Sequence, residues 1–167
     1  MTTEIEARRS IRKFRPDAPV TNDQLGQLIH AAMLAPSAKN ARPWEFIAIT
    51  KRDILDEFAR VHPYANMCAT ATAAIVVVAI PQPDILVGYF PQDCGAATQN
   101  ILLEAVSMGL GGCWLGIWPN ESRVTWLADM LDIRKPKLPF NIIAIGTPDE
   151  SPAQRGFFDA SKITYMH

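Results

Sequence analysis

Five basic residues and a hydroxyl group lie within eight positions near the start of the chain, in the segment RRSIRKFR at 8–15. Guanidinium groups hold phosphate through paired, charge-assisted hydrogen bonds, and a serine hydroxyl adds a further donor. If this segment ends a helix or forms a turn, Arg8, Ser10 and Arg12 can converge on one phosphate, with about 1.5–3 kcal/mol from each bond to a charged group. The alternative is a solvated basic surface that binds nothing.

A second group of polar residues lies in the loop APSAKNARPW at 35–44, between a helical pattern and an aromatic residue. Pro36 and Pro43 stiffen this loop, because proline fixes its own backbone angle. Between them, Ser37 and Asn40 carry hydroxyl and amide groups that can pair with the polar edge of a planar ring. The alternative is an ordinary connection between a helix and a strand.

The third candidate is the glycine-rich segment GLGGCWLG at 109–116. It is not a dinucleotide-binding fingerprint, because that motif follows a strand and opens a helix, whereas this segment follows a helix and leads into a strand. Glycines here would let the backbone approach a flat ligand closely. The alternative, a helix C-cap followed by a bend in the sheet, accounts for Gly109 and Gly111 but leaves Gly112 and Gly116 unexplained.

Other common chemistries have no support in the sequence. It contains no G-x-S-x-G and no G-x-x-x-x-G-K motif, and its three histidines are too scattered to share a metal ion. We therefore expect no metal site. The cysteines all lie in apolar segments, which predicts buried and unreactive reduced thiols; they are Cys68, Cys94 and Cys113.

Charge and hydropathy exclude two classes of partner. The 167 residues carry a net charge of −1, whereas nucleic-acid-binding domains are usually basic. The longest apolar run, 73–80, is too short to span a bilayer and is typical of a buried strand. The charged N-terminus has no signal-peptide core. We therefore expect a single domain over 1–167, in the cytoplasm, with no membrane or nucleic-acid partner.

Local patterns predict helices packed on a sheet of at least four strands, in the α+β or α/β class. Capping signals predict four helix starts, at Thr3, Thr21, Thr50 and Asn120. A fifth and longer helix is predicted from about 90 to Met108, with Gly109 ending it. Strands are predicted over 44–50, 74–80, 113–118 and 140–145. An irregular tail follows.

The stretch from 61 to 122 contains no lysine or arginine, and the long helix within it is apolar nearly all round. A helix of this kind is buried. We expect it to form a subunit interface, because obligate dimer interfaces resemble a protein core cut in half. The alternative is a central helix wrapped by its own sheet.

Taken in chain order, these segments resemble the FMN-dependent nitroreductase family over nearly the whole chain. RRSIRKF at 8–14 resembles the family's phosphate-binding opening, and APSAKNARPWEF at 35–46 resembles its P-S-x-x-N-x-x-P-W loop. DCGAATQNILL at 93–103, with GLGGCWLG, resembles its interface helix and flavin-facing strand, and IGTPDE at 145–150 resembles its late glycine turn. The resemblance implies an α+β (α/β sandwich), nitroreductase-like dimer. Its mostly antiparallel sheet of four to five strands is flanked by helices, and its tail over 147–167 wraps the partner.

The resemblance also implies two FMN sites, each built from both subunits of a homodimer. It places the phosphate and the ribityl chain on Arg8, Arg9, Ser10 and Arg12, with Arg155 closing over the phosphate. On one side of the flavin ring, the resemblance places three residues of the partner chain, Pro36, Ser37 and Asn40. On the other side it places Trp114, Leu115 and Gly116, with the Gly116 amide near flavin N5. It places Asn66 at the pyrimidine edge.

The implied reaction is a ping-pong transfer in which FMN takes hydride from NADH or NADPH and reduces a nitroaromatic, quinone or similar small acceptor. The chemistry then belongs to the cofactor, and no catalytic side chain is expected. Two alternatives remain: another flavin reaction on the same fold, such as reductive dehalogenation or flavin consumption, and a flavin-binding or sensing module without turnover. Three positions depart from the family pattern. Arg42 replaces a common glutamine, Ala69 replaces a lysine of some larger members, and Phe157 replaces a late basic residue, which predicts a lighter phosphate clamp.

Overall fold

The computed structural model describes residues 3–81, 88–153, 156 and 158–167. Arg155 and Phe157 therefore lie outside the described residues. Within the described residues the α-helices are α1 Thr3–Ala7, α2 Asn22–Met33, α3 Arg52–Val61, α4 Phe90–Ser107 and α5 Glu121–Met130. The strands are β1 Trp44–Ile49, β2 Ala73–Ala79, β3 Gly111–Gly116 and β4 Leu138–Gly146. Short turns of 3-10 helix lie at Ala38–Asn40, Asn66–Ala69 and Ala160–Lys162.

The four strands form one sheet in the order β1-β2-β4-β3, and all neighbours are antiparallel. β2 lies inside the sheet and is buried along its whole length, as its unbroken apolar sequence predicts. Ile75 and Val77 face the layer that contains α2 and α4, whereas Val76 faces the layer that contains α3 and α5. Each buried aliphatic side chain of this kind stabilises the fold by about 1.5–3 kcal/mol. The predicted class, an antiparallel sheet flanked by helices, is confirmed.

Two of the predicted helix starts are confirmed by their capping bonds. At the start of α2, the Gln24 amide donates to the Thr21 hydroxyl (3.2 Å) and the Thr21 amide donates to the Gln24 side chain (2.9 Å). At the start of α5, the Asn120 side chain accepts from the Arg123 amide (3.0 Å). Each cap satisfies amide groups that the first helical turn leaves without a partner. These bonds fix where α2 and α5 begin.

Two predicted boundaries are wrong. The cap of α3 is Lys51 rather than Thr50, and it makes no side-chain capping bond. β3 begins two residues before the predicted range 113–118 and ends two residues earlier. The cause is the register with β4, which pairs Gly111 with Gly146 and Gly116 with Asn141. The N-terminal segment adds to the sheet alongside the first residues of β3, where the Ile11 amide donates to the Gly112 carbonyl (3.1 Å). The local pattern of β3 contains no sign of either contact.

Helix α4 is buried along one side by the chain's own sheet and by α2. Ala97 and Ile101, on that side, have no exposed surface. The opposite side, which carries Gln99 and Leu103, stays at least partly accessible. The alternative of a helix wrapped by its own sheet is therefore correct for one side of α4 and leaves the other side uncovered. Gly109 ends this part of the chain with a φ of +70°, as predicted.

Candidate functional site

The basic N-terminal segment is fixed along the open edge of β3. Ser10 forms a parallel bridge with Gly112, and the bond from Ile11 to the Gly112 carbonyl holds the segment there. This approach needs Gly111, because a Cβ atom at that position would lie 2.6 Å from the Ile11 side chain. Sequence and packing together thus place the arginines on either side of Ser10 at one end of the sheet edge.

The chain that leaves β4 holds the same segment from its other side. The Arg15 amide donates to the Thr147 carbonyl (2.9 Å), and the Asp149 amide donates to the Lys13 carbonyl (2.9 Å). The Glu150 carboxylate accepts the amides of Arg12 and Lys13, the latter at 3.1 Å. Two segments more than 130 residues apart therefore close around the basic cluster.

A cavity of about 300 Å³ opens between these segments. Its lining consists of Arg8, Arg9, Ser10, Arg12, Glu150, Pro152 and Ala153. All four residues that the sequence assigns to the phosphate and ribityl chain are thus brought together. Glu150 lies in the same lining, with its carboxylate engaged by backbone amides. The cavity therefore combines three guanidinium groups and a hydroxyl with one carboxylate that is already bonded.

Arg9 shows that this cavity has an unmet demand for an acceptor. One of its terminal nitrogens donates to the carbonyls of Glu6 (2.8 Å) and Arg8 (2.6 Å), which fixes the side chain. Its Nε atom is buried and has no partner among the residues that the structure describes. An unpaired buried donor costs about 1–3 kcal/mol, and an anionic oxygen in the cavity would remove that cost. The residues present therefore fit a phosphate group.

A second cavity of about 410 Å³ lies on the other side of Arg12. It is lined by Arg12, Pro63, Tyr64, Asn66, Met67, Cys113, Trp114 and Leu115. Three residues predicted to meet a flavin ring, Asn66, Trp114 and Leu115, therefore lie in one cavity. Arg12 belongs to the lining of both cavities, so the basic cluster and these residues form one continuous surface.

The backbone of β3 directs alternate amide and carbonyl groups toward its outer edge. Gly116 is in register with Asn141 of β4, and the Ile117 amide donates to the Phe140 carbonyl (3.3 Å). This spacing makes Gly116 and Asn141 a pair that exchanges no backbone hydrogen bonds, so the Gly116 amide and carbonyl point away from β4. Trp114 lies two residues before Gly116 and therefore has the same orientation in the strand. Its indole packs across Gly95 of α4. Its backbone groups thus also face the open edge.

The glycines around β3 have different roles. Packing explains Gly111, as described, and it also explains Gly112, because a Cβ atom there would lie 2.8 Å from the Leu102 side chain. Packing thus gives Gly112 a reason that does not involve a ligand. Gly116 remains: a Cβ atom there would have nothing within 4 Å among the described residues. The open space in front of Gly116 is where a planar group could approach the edge.

His62 lies against the outer edge of β3 at Gly116 and has only 2% of its surface exposed. Its Nε2 lies 3.1 Å from the Gly116 carbonyl oxygen, and its Nδ1 lies 3.2 Å from the Tyr64 amide nitrogen. Burial lowers the pKa of His62 below its ordinary value of 6.5, the bond to Gly116 opposes that effect, and the charge of Arg123 lowers the pKa further. A neutral ring at physiological pH follows.

The polar loop predicted to meet the flavin from a partner chain lines neither cavity. It is held against α4, where the Ala38 amide donates to Asp93 (3.0 Å). Three of its residues, Lys39, Asn40 and Arg42, have φ angles of 50–55°, a left-handed conformation that non-glycine residues seldom adopt. Such backbone strain clusters at ligand sites. Within one chain, Pro36, Ser37 and Asn40 are therefore separate from the other candidate site residues.

Several site residues have no assigned role in the sequence. Glu150 ends the IGTPDE segment, where the pattern gives it no function, and Tyr64 and His62 belong to no motif. Arg123 is similar: its side chain donates to the Gly116 carbonyl (3.1 Å) and its guanidinium lies 5.5 Å from the centre of the Tyr64 ring. No signal in the local sequence points to these contacts, because they depend on how the elements pack.

The buried thiols behave as predicted. All three cysteines are buried and free. Burial raises the pKa of Cys68 to about 12 and that of Cys94 to about 12, and it also raises the pKa of Cys113. The thiols are therefore protonated at neutral pH and are poor nucleophiles. Within residues 3–81 and 88–153 and the described part of the tail, no group of three or more acidic, histidine or cysteine side chains could hold a metal ion.

No helix among the described residues has the length and apolar character needed to cross a membrane.

Comparisons with known proteins agree with this architecture. The model of the nitroreductase family matches residues 5–71 and 60–147. A Methanothermobacter thermautotrophicus protein, provisionally named as an NADH dehydrogenase/NAD(P)H nitroreductase, is 40% identical over 159 residues, which cover 95% of this chain and 83% of that protein.

Solved structures give the same result. A Parabacteroides distasonis protein with the same provisional name superposes with a TM-score of 0.90 at 35% identity, covering 97% of this chain and 95% of the other. An FMN-dependent nitroreductase from Clostridium difficile superposes with a TM-score of 0.88 at 27% identity, covering 100% and 99%. This chain belongs to the nitroreductase family.

Proposed function

We propose that this chain binds FMN across the two cavities and uses NADH or NADPH to reduce a small acceptor. Its class, an NAD(P)H-dependent flavin oxidoreductase, follows from the family and its named members. When bound, FMN would take up hydride from NAD(P)H and pass electrons to a nitroaromatic, quinone or similar compound in alternating steps. The protein's own part is to bind and orient the cofactor.

The phosphate end of FMN would lie in the arginine-lined cavity. Arg8 and Arg12 would supply charge-assisted bonds, and Ser10 would add a hydroxyl. The buried Nε of Arg9 would gain the acceptor that it lacks among the described residues. Arg155 would complete this end, as the family resemblance suggests.

The ring end would lie along the outer edge of β3. There, Trp114 and Gly116 direct backbone groups outward, and the space in front of Gly116 is open. We propose that the Gly116 amide faces flavin N5, that Leu115 supports the ring and that Asn66 pairs with its pyrimidine edge. These groups would hold the ring in place and shield one side of it from water.

One observation carries this proposal: Arg12 lines both cavities, so a cluster for an anion is continuous with an open strand edge. A phosphate-tailed planar cofactor needs both features at once. An anion site alone would not require the second cavity, and an apolar ligand would not require three arginines.

The experiment that tests the proposal is an absorbance titration. The purified protein, loaded with FMN, should bleach on anaerobic addition of NADH or NADPH and regain its colour when a quinone or nitroaromatic is added. Free FMN under the same conditions is the control. Loaded protein that does not react with either nicotinamide would support a flavin-binding module instead, and protein that takes up no FMN would refute the proposal.

We further propose a homodimer in which Pro36, Ser37 and Asn40 of each chain complete the partner's site and the tail over 147–167 wraps the partner. The partly accessible side of α4 is the surface proposed for contact, because the stretch around it carries no lysine or arginine. The strained conformation of the loop and its bond to Asp93 would preform it for that role.

Replacing Leu103 by glutamate should weaken this dimer by at least tenfold, because the charge would enter the proposed contact without disturbing the chain's own core. Sedimentation velocity across a concentration series measures the effect. Val61→Glu, a similar change on an exposed apolar residue of α3, is the matched control. Ala97 is unsuitable for this test, since its side chain packs inside the chain's own core. A Leu103→Glu protein that dimerises as tightly as the unmodified chain would count against this interface.

A further inference from the structure

The buried His62 connects the end of β3 with a segment that lines the second cavity. Its Nε2 meets the carbonyl of Gly116, the last residue of β3, which directly follows the cavity residue Leu115. Its Nδ1 meets the amide of Tyr64, which lines the cavity together with Asn66. With 2% of its surface exposed, the ring has little access to water and depends on these two bonds.

The contacts determine which ring nitrogen carries the proton. The Tyr64 amide can only donate, so Nδ1 must accept and is unprotonated. Nε2 then carries the hydrogen and donates to the Gly116 oxygen. A neutral imidazole with this tautomer satisfies both bonds, whereas a protonated ring would direct a second N–H at the Tyr64 amide.

Arg123 of α5 strengthens the same junction. It donates to the Gly116 carbonyl as well, and its guanidinium stacks on the Tyr64 ring. The Gly116 carbonyl thus accepts two donors from outside the sheet. In an extended strand the amide and the carbonyl of one residue point to the same side, so the bonds that hold the Gly116 carbonyl outward also favour an outward direction for its amide.

We propose that His62 is a positioning residue of the cofactor site: its Nε2–H tautomer fixes Gly116 and the segment from Tyr64 to Asn66, and so shapes the edge that receives the flavin ring. This inference rests on the proposed function. It assigns His62 to the ring end only, because neither His62 nor its partners line the arginine cavity.

The distinction between the two ends gives a specific test. FMN and riboflavin share the ring, and only FMN has the phosphate. Loss of His62 should therefore weaken both ligands by the same factor, whereas loss of the arginines should weaken FMN much more than riboflavin. A change that merely loosened the whole fold would also lower the unfolding midpoint and would not preserve the ratio of the two affinities.

His62→Phe keeps an aromatic ring and removes both bonds, and His62→Gln keeps a side-chain donor. We expect His62→Phe to weaken FMN and riboflavin equally, by at least fivefold, to alter the visible absorption band of bound FMN and to speed hydrogen exchange of the Tyr64 amide in the flavin-free protein. His62→Gln should recover most of each effect. His30→Phe, at an exposed histidine of α2, is the matched control and should change nothing.

Three results decide the matter. Folded His62→Phe protein with unmodified FMN and riboflavin affinity and an unmodified spectrum would overturn the inference. So would nitrogen-15 NMR of the unmodified, flavin-free chain that found the proton on Nδ1, a measurement that needs no variant to fold. Failure of the unmodified chain to bind FMN would refute the proposed function instead, and the tautomer would still be measurable.

Discussion

Replacing Arg8 and Arg12 together by alanine is expected to weaken FMN binding by more than tenfold while the fold survives. Each side chain would supply a charge-assisted bond to the phosphate, and such bonds contribute about 1.5–3 kcal/mol. Both side chains are at least partly exposed, so we expect values near the lower end. Tenfold corresponds to about 1.4 kcal/mol, which two lost bonds exceed even after that discount. Fluorescence titration of FMN measures the change.

Riboflavin provides the internal comparison for this double variant, because it lacks the phosphate and should lose much less affinity than FMN. Arg134→Ala removes an exposed arginine that pairs with Asp132 far from either cavity, and it should leave FMN binding unchanged. Equal FMN affinity in the double variant and the unmodified chain would show that the basic cluster is a solvated surface that does not bind the phosphate.

Introducing valine at Gly116 is expected to abolish most FMN binding without unfolding the protein. A Cβ atom there would meet nothing within 4 Å, so the new side chain fits the described chain, and strand propensities differ by only about 1 kcal/mol. The same side chain would occupy the space through which the flavin ring reaches the edge of β3. We expect at least a tenfold loss of both FMN and riboflavin affinity, with an unfolding free energy within about 1 kcal/mol of the unmodified chain.

Gly111→Ala is the contrasting variant. Its Cβ atom would lie 2.6 Å from the Ile11 side chain and 3.0 Å from Pro148, both within the packed junction of the chain's two ends. Overpacking of this kind costs about 1–3 kcal/mol, so this variant should lower stability first. Gly116→Val protein that retains full riboflavin affinity would place the ring elsewhere and refute the proposed orientation.

Much of the fold follows from local sequence. The apolar run of β2 predicts a buried strand, and the capping box at Thr21 predicts the start of α2, because both signals act within a few residues. The predicted cap of α3 at Thr50 is wrong. Thr50 has a hydroxyl that can cap a helix, whereas the cap is Lys51, which makes no side-chain capping bond and so leaves no signal in the sequence. The bounds of β3 are wrong because they are set by its register with β4, a separate segment of the chain.

The candidate site likewise has parts that the local sequence predicts and parts that it does not. Its arginines and the glycine segment have recognisable residue types and spacing, and the structure brings Arg8, Arg9, Ser10 and Arg12 into one cavity. The role of Gly112 could not be read from the sequence, because a glycine in a strand can make room for a neighbouring side chain such as Leu102 as easily as for a ligand. Contacts such as that of His62 with Gly116 depend on topology alone, which single-sequence patterns do not contain.

The junction between Glu150 and the amides of Arg12 and Lys13 has a consequence for biosynthesis. The ribosome synthesises the arginines near the start of the chain. Glu150, whose carboxylate accepts the amides of Arg12 and Lys13, is added only when the chain is nearly finished. The anion cavity therefore cannot close until the chain is nearly complete, and under the proposed function FMN would bind only after that point. Truncating the chain before residue 150 should accordingly leave a polypeptide whose opening arginines are all present and yet unable to retain the cofactor.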